Sequence, residues 1–265
     1  MRLKDKVVLV TASTRGIGLA IVKACAGAGA TVFMADRELE LAEQEARKLN
    51  EAGGKVFFGF HDAQQAESYP AVMEQILSVC GRVDVLVNNF GASKHEKDLD
   101  FTHTDPNVFL ETVTANLQSV FLMGQAAARI MAGQGGGSII NISSVGGSVP
   151  DVSQISYGTS KAAINYLTKL IAVQEAERNI RCNAVLPGMT ATESVEKNLS
   201  REFRELFLRH IPLRRMGLPE EIAQAVLYFA SDESAYTTGQ ILTVSGGFGL
   251  ATPVYSELSG RGRKR

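Results

Sequence analysis

The sequence is poor in the residues that build metal centres and disulfide-bonded folds. Its 265 residues include only three cysteines and four histidines, and no tryptophan. Cys25, Cys80 and Cys182 lie far apart without a C-x-x-C pair, and the histidines lack the H-E-x-x-H spacing of a zinc site. We therefore predict no disulfide framework and no metal site, and the free thiols favour a reducing compartment.

Long apolar runs and an excess of either charge are also missing. No apolar stretch approaches the ~18 residues that a membrane-spanning helix needs, and the N-terminus enters a strand-like run without a signal-peptide core. The 27 basic and 28 acidic residues leave a net charge of -1, which offers no general attraction for nucleic acid or an anionic membrane. We therefore predict a cytoplasmic protein that binds neither, and interpret the basic cluster at 260–265 as a frayed terminus.

What the sequence does contain is a regular alternation of strand-like and helix-like segments. Seven apolar runs are separated by helix-like stretches, and the runs lie at 6–12, 31–37, 55–62, 83–89, 137–144, 180–188 and 239–247. Strands that are apolar on both faces and alternate with helices form a parallel sheet covered on both sides. We predict the α/β class: one doubly wound Rossmann-type domain over 1–265, with a seven-stranded parallel sheet and helices on both faces.

A glycine-containing turn, TASTRGIG at 11–18, lies between the first strand and the first helix. Gly16 and Gly18 would let the backbone approach a pyrophosphate at the helix N-terminus, where unpaired N–H groups point outward. The spacing differs from G-x-G-x-x-G, so the turn alone could also be a tight connection without a ligand. Its position after the first strand favours dinucleotide binding, for which we predict Thr11, Ser13, Thr14, Arg15, Gly16, Ile17 and Gly18.

The stretch SYGTSKAAIN at 156–165 places Tyr157 four residues before Lys161. On a helix, two such side chains share one face. They could decorate a solvated surface. They could also form an acid–base pair, because a neighbouring cation favours the phenolate and lowers the pKa of a tyrosine.

These motifs follow one another as T-A-x-x-x-G-x-G, N-N-x-G, Asn116, Ser144, Y-x-x-x-K and P-G, from about residue 3 to residue 250. In this order the sequence resembles the short-chain dehydrogenase/reductase family. The resemblance implies a nicotinamide-dependent oxidoreductase, of a family that commonly forms homotetramers. Within the family, stretches such as VTASTRGIG and NIRCNAVLPGMTAT look most similar to bacterial 7α-hydroxysteroid dehydrogenases, which act on bile acids.

The resemblance also implies the catalytic residues. Tyr157 would be the acid–base group, Lys161 would lower its pKa, and Ser144 would polarise the substrate oxygen. Asn116 would hold a water that links Lys161 to solvent. Ser143 is a rival for Ser144, and the spacing to the tyrosine favours Ser144.

Three positions depart from the family pattern. Ala12 stands where the family usually has the first glycine of the phosphate turn, so the loop conformation could differ there. Phe90 replaces a small residue and would bring an aromatic ring near the cofactor, and Ser245 stands where many members have an aspartate. None of the three removes a catalytic group.

The remaining cofactor contacts follow the family pattern at the carboxyl ends of later strands. Asp62 would meet the adenine side of the cofactor. Thr190 and Thr192 could bond the nicotinamide carboxamide, or could simply cap the next helix. Together with Tyr157 and Lys161, the predicted set is completed by Asp62, Ala63, Asn89, Gly91, Pro187, Gly188, Thr190 and Thr192.

The choice between NAD and NADP depends on the end of the second strand. Asp36 would accept hydrogen bonds from the adenosine ribose hydroxyls and repel a 2′-phosphate. Arg37 and Arg15 could instead grip that phosphate. We predict that NAD is preferred, with NADP as the alternative, because an arginine can swing away from the site and the Asp36 charge cannot.

Two long polar segments with interleaved apolar residues, 92–106 and 192–217, lie beside the predicted site and suit a mobile lid. We expect the substrate lid at about 190–217, and a C-terminal tail at about 248–265 that could touch the pocket. Arg201, Arg204 and Arg209 could pair with the ionised side chain of a bile acid, or could form a solvated helix face.

Our leading hypothesis is an oxidoreductase for the 7α-hydroxyl of bile acids, a small-molecule substrate. The alternatives on the same fold are a 3-oxoacyl reductase and a sugar or polyol dehydrogenase. A dinucleotide-binding regulatory protein without turnover is a third possibility. Such proteins typically lack the catalytic tyrosine or lysine, and both are present here.

Overall fold

The computed structural model describes residues 1–252 and 254–261. The predicted tail at 248–265 therefore lies partly outside the described residues, at Pro253 and at 262–265. The predicted frayed end at 260–265 lies mostly outside them as well.

A seven-stranded parallel sheet forms the centre of the protein, with the strand order β3-β2-β1-β4-β5-β6-β7. This confirms the predicted fold class. The strands are β1 Val7–Thr11, β2 Thr31–Asp36, β3 Lys55–Phe60, β4 Val85–Asn88, β5 Gly137–Ile142, β6 Ile180–Pro187 and β7 Ile241–Val244. Each strand lies within its predicted run and is shorter than that run.

Helices cover both faces of the sheet and continue into the C-terminal part of the chain. They are α1 Gly16–Gly27, α2 Leu39–Glu51, α3 Ser68–Cys80, α4 Pro106–Gly133, α5 Ile155–Gln174, α6 Glu193–Asn198, α7 Arg201–Leu208, α8 Pro219–Ala230 and α9 Tyr255–Arg261. The short helices α6, α7 and α9 were not predicted individually. They lie in the segment expected to form the lid and in the tail.

Alternate residues of the central strand β1 enter different cores. Val8 and Val10 belong to a buried cluster that includes Phe229 of α8. Leu9 belongs to a second cluster, with Met123 of α4, on the opposite face. Fully burying a side chain of this kind stabilises the fold by about 1.5–3 kcal/mol, so the two clusters hold the helices against both faces.

The strand order reverses direction between β1 and β4, where the chain leaves one half of the sheet and begins the other. At such a switch point the loops after neighbouring strands diverge and open a crevice at the carboxyl ends. The turn after β1, the N-N-x-G segment after β4 and the serines after β5 all meet this crevice.

Within residues 1–252 and 254–261, no helix is both long enough and apolar enough to span a membrane.

Candidate active site

The turn after β1 is folded tightly enough to require a glycine at its centre. A Cβ atom at Gly18 would lie 2.2 Å from the carbonyl oxygen of Ala12 and 2.7 Å from Nδ2 of Asn89. Ala12 itself adopts a left-handed backbone with φ of 49°. The turn therefore keeps a conformation in which glycine is favoured, even though alanine occupies the position.

The same turn has polar groups that fit an anionic ligand. The hydroxyl of Ser13 is fully buried and has no hydrogen-bond partner among the residues that the structure describes. Arg15, which precedes α1, makes no capping bond with its side chain to that helix in the described structure. An unpaired buried hydroxyl costs about 1–3 kcal/mol, and phosphate oxygens beside a helix N-terminus would satisfy it. These residues fit the pyrophosphate of a dinucleotide.

The N-N-x-G segment after β4 holds the phosphate turn in place. The side chain of Asn89 donates to the carbonyl oxygen of Ala12 at 2.8 Å, and its backbone N–H donates to Oγ1 of Thr11 at 3.0 Å. A Cβ atom at Gly91 would lie 3.1 Å from Nζ of Lys161. Asn89 and Thr11 thus make bonds within the protein, and Gly91 leaves room for the lysine.

Asp36 is buried at the end of β2 and points toward the turn. Its Oδ2 accepts hydrogen bonds from the backbone N–H and the hydroxyl of Thr14, each at 3.0 Å, and its Oδ1 accepts from the N–H of Glu38 at 3.1 Å. A carboxylate offers about four acceptor positions, so capacity remains for a ribose hydroxyl. Both predicted phosphate-binding arginines face Glu38 instead: Arg15 at 3.2 Å and Arg37 at 3.8 Å.

The end of β3 contains a residue whose role the sequence did not reveal. His61 is buried, shares a hydrogen bond with Oγ of Ser68 at 3.0 Å and packs edge-on against the ring of Tyr69. Burial lowers its pKa to about 4, so the imidazole is neutral at pH 7. Its backbone N–H donates to the carbonyl oxygen of Asp36, which ties β3 to β2 at the cofactor side.

Asp62 and Ala63 follow His61 in the loop toward α3. Asp62 accepts hydrogen bonds from the backbone of Gln64 and the side chain of Gln65. Ala63 is buried, and its carbonyl oxygen accepts from the hydroxyl of Tyr69 at 2.8 Å. Asp62, the predicted adenine contact, and Ala63, another predicted cofactor contact, therefore lie in one turn.

The two candidate serines after β5 have different environments. The hydroxyl of Ser143 is buried and donates to the backbone carbonyl of Lys161 at 3.1 Å. Ser144 is partly exposed; its Oγ accepts from the N–H of Gly146 at 3.1 Å and shares a hydrogen bond with Tyr157. Only Ser144 presents its hydroxyl beside the phenol.

Tyr157 and Lys161 lie one turn apart on α5, with Nζ of the lysine 5.6 Å from the centre of the tyrosine ring. Nζ is buried and donates to the carbonyl oxygen of Ile142 at 3.0 Å. Burial lowers the pKa of Lys161 to about 8. The ammonium and neutral forms of the lysine are therefore both accessible near neutral pH.

The pKa of Tyr157 moves in the direction opposite to the one predicted from the spacing. Burial raises it above its ordinary value, and the hydrogen bond with Ser144 opposes the increase. The helical spacing places a cation nearby but says nothing of the water that packing removes around the phenol. Loss of that water penalises the phenolate, so burial opposes the decrease in pKa that the spacing predicted.

Asn116 of α4 is buried, and its side-chain amide bonds to the loop after β4 and to α5. Its Oδ1 accepts from the N–H of Ala92 at 2.7 Å, and its Nδ2 donates to the carbonyl oxygen of Ala92 and to Oγ of Ser160, each at 2.9 Å. Ser160 in turn donates to the carbonyl oxygen of Tyr157. The amide thus links the loop after β4 to α5; the water-holding role implied by the resemblance stays a prediction.

The segment from 190 to 217 leaves the sheet after β6, and its two ends are bonded to each other. Thr190 forms a bridge with Gly217, and the N–H of Ala191 donates to the carbonyl oxygen of Gly217 at 2.8 Å. Thr192 caps α6 by accepting from the N–H of Val195, which was the alternative considered for it. Its methyl group would lie 3.3 Å from a Cβ atom at Gly16, so the base of this segment contacts the phosphate turn.

Pro187 and Gly188 end β6 at the start of that segment. The N–H of Gly188 donates to the carbonyl oxygen of Val244, and Thr190 donates its hydroxyl to the carbonyl oxygen of Gly188 at 3.0 Å. These bonds fix the Pro–Gly pair between β6 and β7, beside the crevice.

Aromatic rings connect the 190–217 segment to the tail. Phe207 of α7 stacks on Phe248 with the ring centres 4.7 Å apart, and Phe203 lies 6.1 Å from Phe207. A Cβ atom at Gly249 would lie 2.7 Å from Val149, five residues after Ser144. The segment and the tail therefore pack against each other, and the tail reaches the loop that follows Ser144. Exposed apolar residues of the two are Phe203, Leu206, Leu213, Leu250 and Val254.

The arginines of this segment differ in availability. Arg201 forms an ion pair with Glu205 one turn away and is highly exposed. Arg209 is also exposed, whereas Arg204 is only partly so.

Among the described residues, no group of three or more histidine, cysteine, aspartate or glutamate side chains could hold a metal ion.

Comparisons with known proteins agree with this geometry. The sequence model of a family described as "Enoyl-(Acyl carrier protein) reductase" matches residues 11–249. The chain is 48% identical over 256 residues to a 7α-hydroxysteroid dehydrogenase of Clostridium sardiniense, covering 97% of this chain and 98% of the relative. It is 46% identical over 260 residues to the 7α-hydroxysteroid dehydrogenase of Paraclostridium sordellii, covering 98% and 97%.

One solved structure matches the fold over most of both chains. It is a 7α-hydroxysteroid dehydrogenase complexed with NADH and 7-oxo glycochenodeoxycholic acid, with a TM-score of 0.88 and 33% sequence identity. The match covers 93% of this chain and 95% of that one.

Proposed function

The chain belongs to the short-chain dehydrogenase/reductase family and is a nicotinamide-dependent oxidoreductase that acts on a CH–OH group; from that premise, we propose that its substrate is the 7α-hydroxyl of bile acids. The observation that carries this proposal is the stacking of α7 on the tail, which reaches the loop that follows Ser144 and leaves apolar side chains of both exposed. Exposed apolar side chains that cluster at a cleft are typical of a binding surface for an apolar ligand. The names of the two similar bacterial proteins support the same substrate.

In the proposed reaction, a secondary alcohol loses a hydride from carbon and a proton from oxygen to become a ketone. The nicotinamide supplies the hydride acceptor when bound. Ser144 donates a hydrogen bond to the substrate oxygen and keeps it beside Tyr157. As a phenolate, Tyr157 takes the proton during oxidation and becomes the phenol, which returns the proton during reduction.

The electrostatics of α5 suit both directions. Burial of Tyr157 favours the protonated phenol, which is the form that donates a proton to a ketone during reduction. Oxidation needs the phenolate, which the ammonium form of Lys161 stabilises from one helical turn away.

The substrate proposal predicts strict recognition of one epimer. A 7α-hydroxy bile acid should reduce the nicotinamide cofactor, followed by absorbance, whereas its 7β epimer should give at most ~1% of that rate. The reason is that hydride transfer requires the carbon–hydrogen bond to face the nicotinamide, and a rigid steroid cannot present both faces. Equal rates for the two epimers would reject the 7α proposal. Turnover of 3-oxoacyl thioesters or polyols alone would also reject it, in favour of the alternative reductase or dehydrogenase.

We propose that NAD is preferred over NADP. Support comes from the buried Asp36, which has acceptor capacity left for a ribose hydroxyl. Arg15 and Arg37 both face Glu38, so a 2′-phosphate would have to compete with a carboxylate for them. The negative charge of Asp36 would repel that phosphate as well.

We propose that the protein assembles as a homotetramer, as the family resemblance implies, through the outer face of α4 and α5 and through a second symmetric contact at LTVSGGFG, residues 242–249. These helices pack side by side and form an apolar groove, which is lined by Val113, Leu117, Phe121, Ala163, Leu167 and Leu170 among others. Such a face on a pair of long helices suits a symmetric contact with a second copy of the chain.

The assembly predicts a particle of four chain masses by light scattering at micromolar concentration. Phe121 is 48% exposed on this face, so Phe121→Asp should reduce the mass by placing a charge in the apolar contact. Phe101→Asp, at a residue 84% exposed outside the groove, should leave the mass unchanged. A wild-type protein that is monomeric in this measurement would contradict the assembly.

A further inference from the structure

The helix that carries Tyr157 does not cap its own N-terminus. Gln154, which precedes α5, has a left-handed backbone with φ of 59° and makes no capping bond with its side chain in the described structure. The first N–H groups of any helix lack partners within the helix and need acceptors from elsewhere. Tyr157 lies in this first turn, so the source of those acceptors determines where its backbone is held.

Asp98, from the loop after β4, supplies the acceptors. Its carboxylate is 0% exposed. Oδ1 accepts from the N–H of Ser156 at 2.8 Å and from the hydroxyl of Ser156 at 2.7 Å, and Oδ2 accepts from the N–H of Tyr157 at 2.9 Å. A carboxylate is an acceptor only, and all three partners are donors. Its negative charge also complements the positive end of the helix dipole.

Backbone bonds attach the same loop to α5 and to Asn116. The carbonyl oxygen of Asp98 accepts from the N–H of Gln154 at 3.0 Å, and that of Leu99 accepts from Ile155 at 3.3 Å. At the beginning of the loop, Ala92 is held by the amide of Asn116. From its sequence, the segment 92–106 was predicted to suit a mobile lid. The part from 92 to 99 is instead bonded to both helices of the site.

We propose that Asp98 is a positioning residue for the reaction, which holds the backbone of Tyr157 so that its phenol meets Ser144 and Lys161. This inference rests on the proposed acid–base role of Tyr157. Asp98 does not touch the substrate oxygen in this role. It acts through the first turn of α5, since the N–H of the catalytic residue itself is one of its three donors.

The test begins with Asp98→Asn, measured on a 7α-hydroxy bile acid with saturating cofactor. The amide keeps the shape of the side chain but turns one acceptor into a donor that faces a donor. We expect kcat to fall about 10-fold, because small displacements of a reacting group cost large factors in rate, with the KM for the cofactor within twofold of wild type. Asp5→Asn makes the same change on an exposed carboxylate near the N-terminus, away from the site, and should leave kcat unchanged.

A double-mutant cycle separates positioning from general damage to the fold. In a Tyr157→Phe background, Asp98→Asn should lower the residual kcat by less than twofold, because the group that Asp98 positions has already gone. The same factor in both backgrounds, or a wild-type kcat for Asp98→Asn alone, would overturn the proposal. If Tyr157→Phe alone leaves turnover intact, the proposed function fails instead, so the two failures differ.

A second variant covers the case in which Asp98→Asn does not fold. Ser156→Ala removes one of the three hydrogen bonds and leaves the carboxylate with both N–H donors. It should lower kcat about twofold to fivefold without changing the KM for the cofactor. An unchanged kcat in this variant would count against the positioning role.

Discussion

Replacing Tyr157 with phenylalanine is expected to lower kcat at least ~10²-fold in both directions of the reaction, while the protein still folds and binds the dinucleotide. The substitution removes one hydroxyl and keeps the ring that packs near Lys161. Ser144 would still hold the substrate oxygen, but no group would exchange its proton. Stopped-flow or steady-state absorbance of the reduced cofactor measures the rate, and cofactor titration measures binding.

The matched control for this loss is Tyr236→Phe. Tyr236 is fully exposed, and removing its hydroxyl should leave kcat within twofold of wild type. Lys161→Met adds a pH test: without the ammonium near the ring, the optimum for oxidation should move to higher pH, since the phenolate loses its neighbouring cation. A Tyr157→Phe variant with half of the wild-type kcat would remove the tyrosine from the mechanism.

Replacing Asp36 with alanine is expected to shift cofactor preference toward NADP by roughly 10- to 100-fold in the ratio of the two kcat/KM values. Hydrogen bonds to a charged group contribute about 1.5–3 kcal/mol, and the variant loses these toward a ribose hydroxyl together with the repulsion of a 2′-phosphate. The substitution also removes the acceptor of Thr14 and so weakens the turn itself. Weakening of the turn affects binding of both cofactors alike, so the ratio of the two kcat/KM values reports only recognition of the 2′ position.

Glu40→Gln is the control for the change in charge. Glu40 lies exposed in the first turn of α2, four residues after Asp36, and should leave the ratio of kcat/KM values within twofold of wild type. A wild-type protein that already prefers NADP, with a ratio that Asp36→Ala hardly changes, would mean that Asp36 does not recognise the ribose.

Much of the fold follows from local sequence patterns, such as apolar runs and short spacings between residues. The apolar run of β1 has side chains for two opposite faces, so Val8 and Leu9 enter different cores without further information. In the turn after β1, Gly18 lies so close to the carbonyl oxygen of Ala12 that only a hydrogen atom fits there. The four-residue spacing of Tyr157 and Lys161 was equally visible, because one helical turn brings such residues to one face.

Several decisive features of the site join residues that are distant in sequence. Asp98 is 58 residues from Ser156, and nothing in the acidic stretch around it distinguishes it from exposed neighbours such as Asp100. The histidines were considered only in predicting that the chain has no metal site, yet His61 lies buried beside Tyr69 as a neutral ring. Glu38 was not considered at all, although both candidate phosphate-binding arginines face it.

The pKa of Tyr157 illustrates the physical reason for this division. Sequence by itself determined the parallel sheet, the tight turn after β1 and the position of Tyr157 and Lys161 on one helical face, because periodicity and short spacings depend on backbone geometry that is the same in every protein. Only the tertiary structure decided how much water remains around each group and which distant partner replaces it. Desolvation raises the pKa of Tyr157 against the expected direction, and a buried carboxylate from another loop holds its helix, because both effects arise when separate segments pack together.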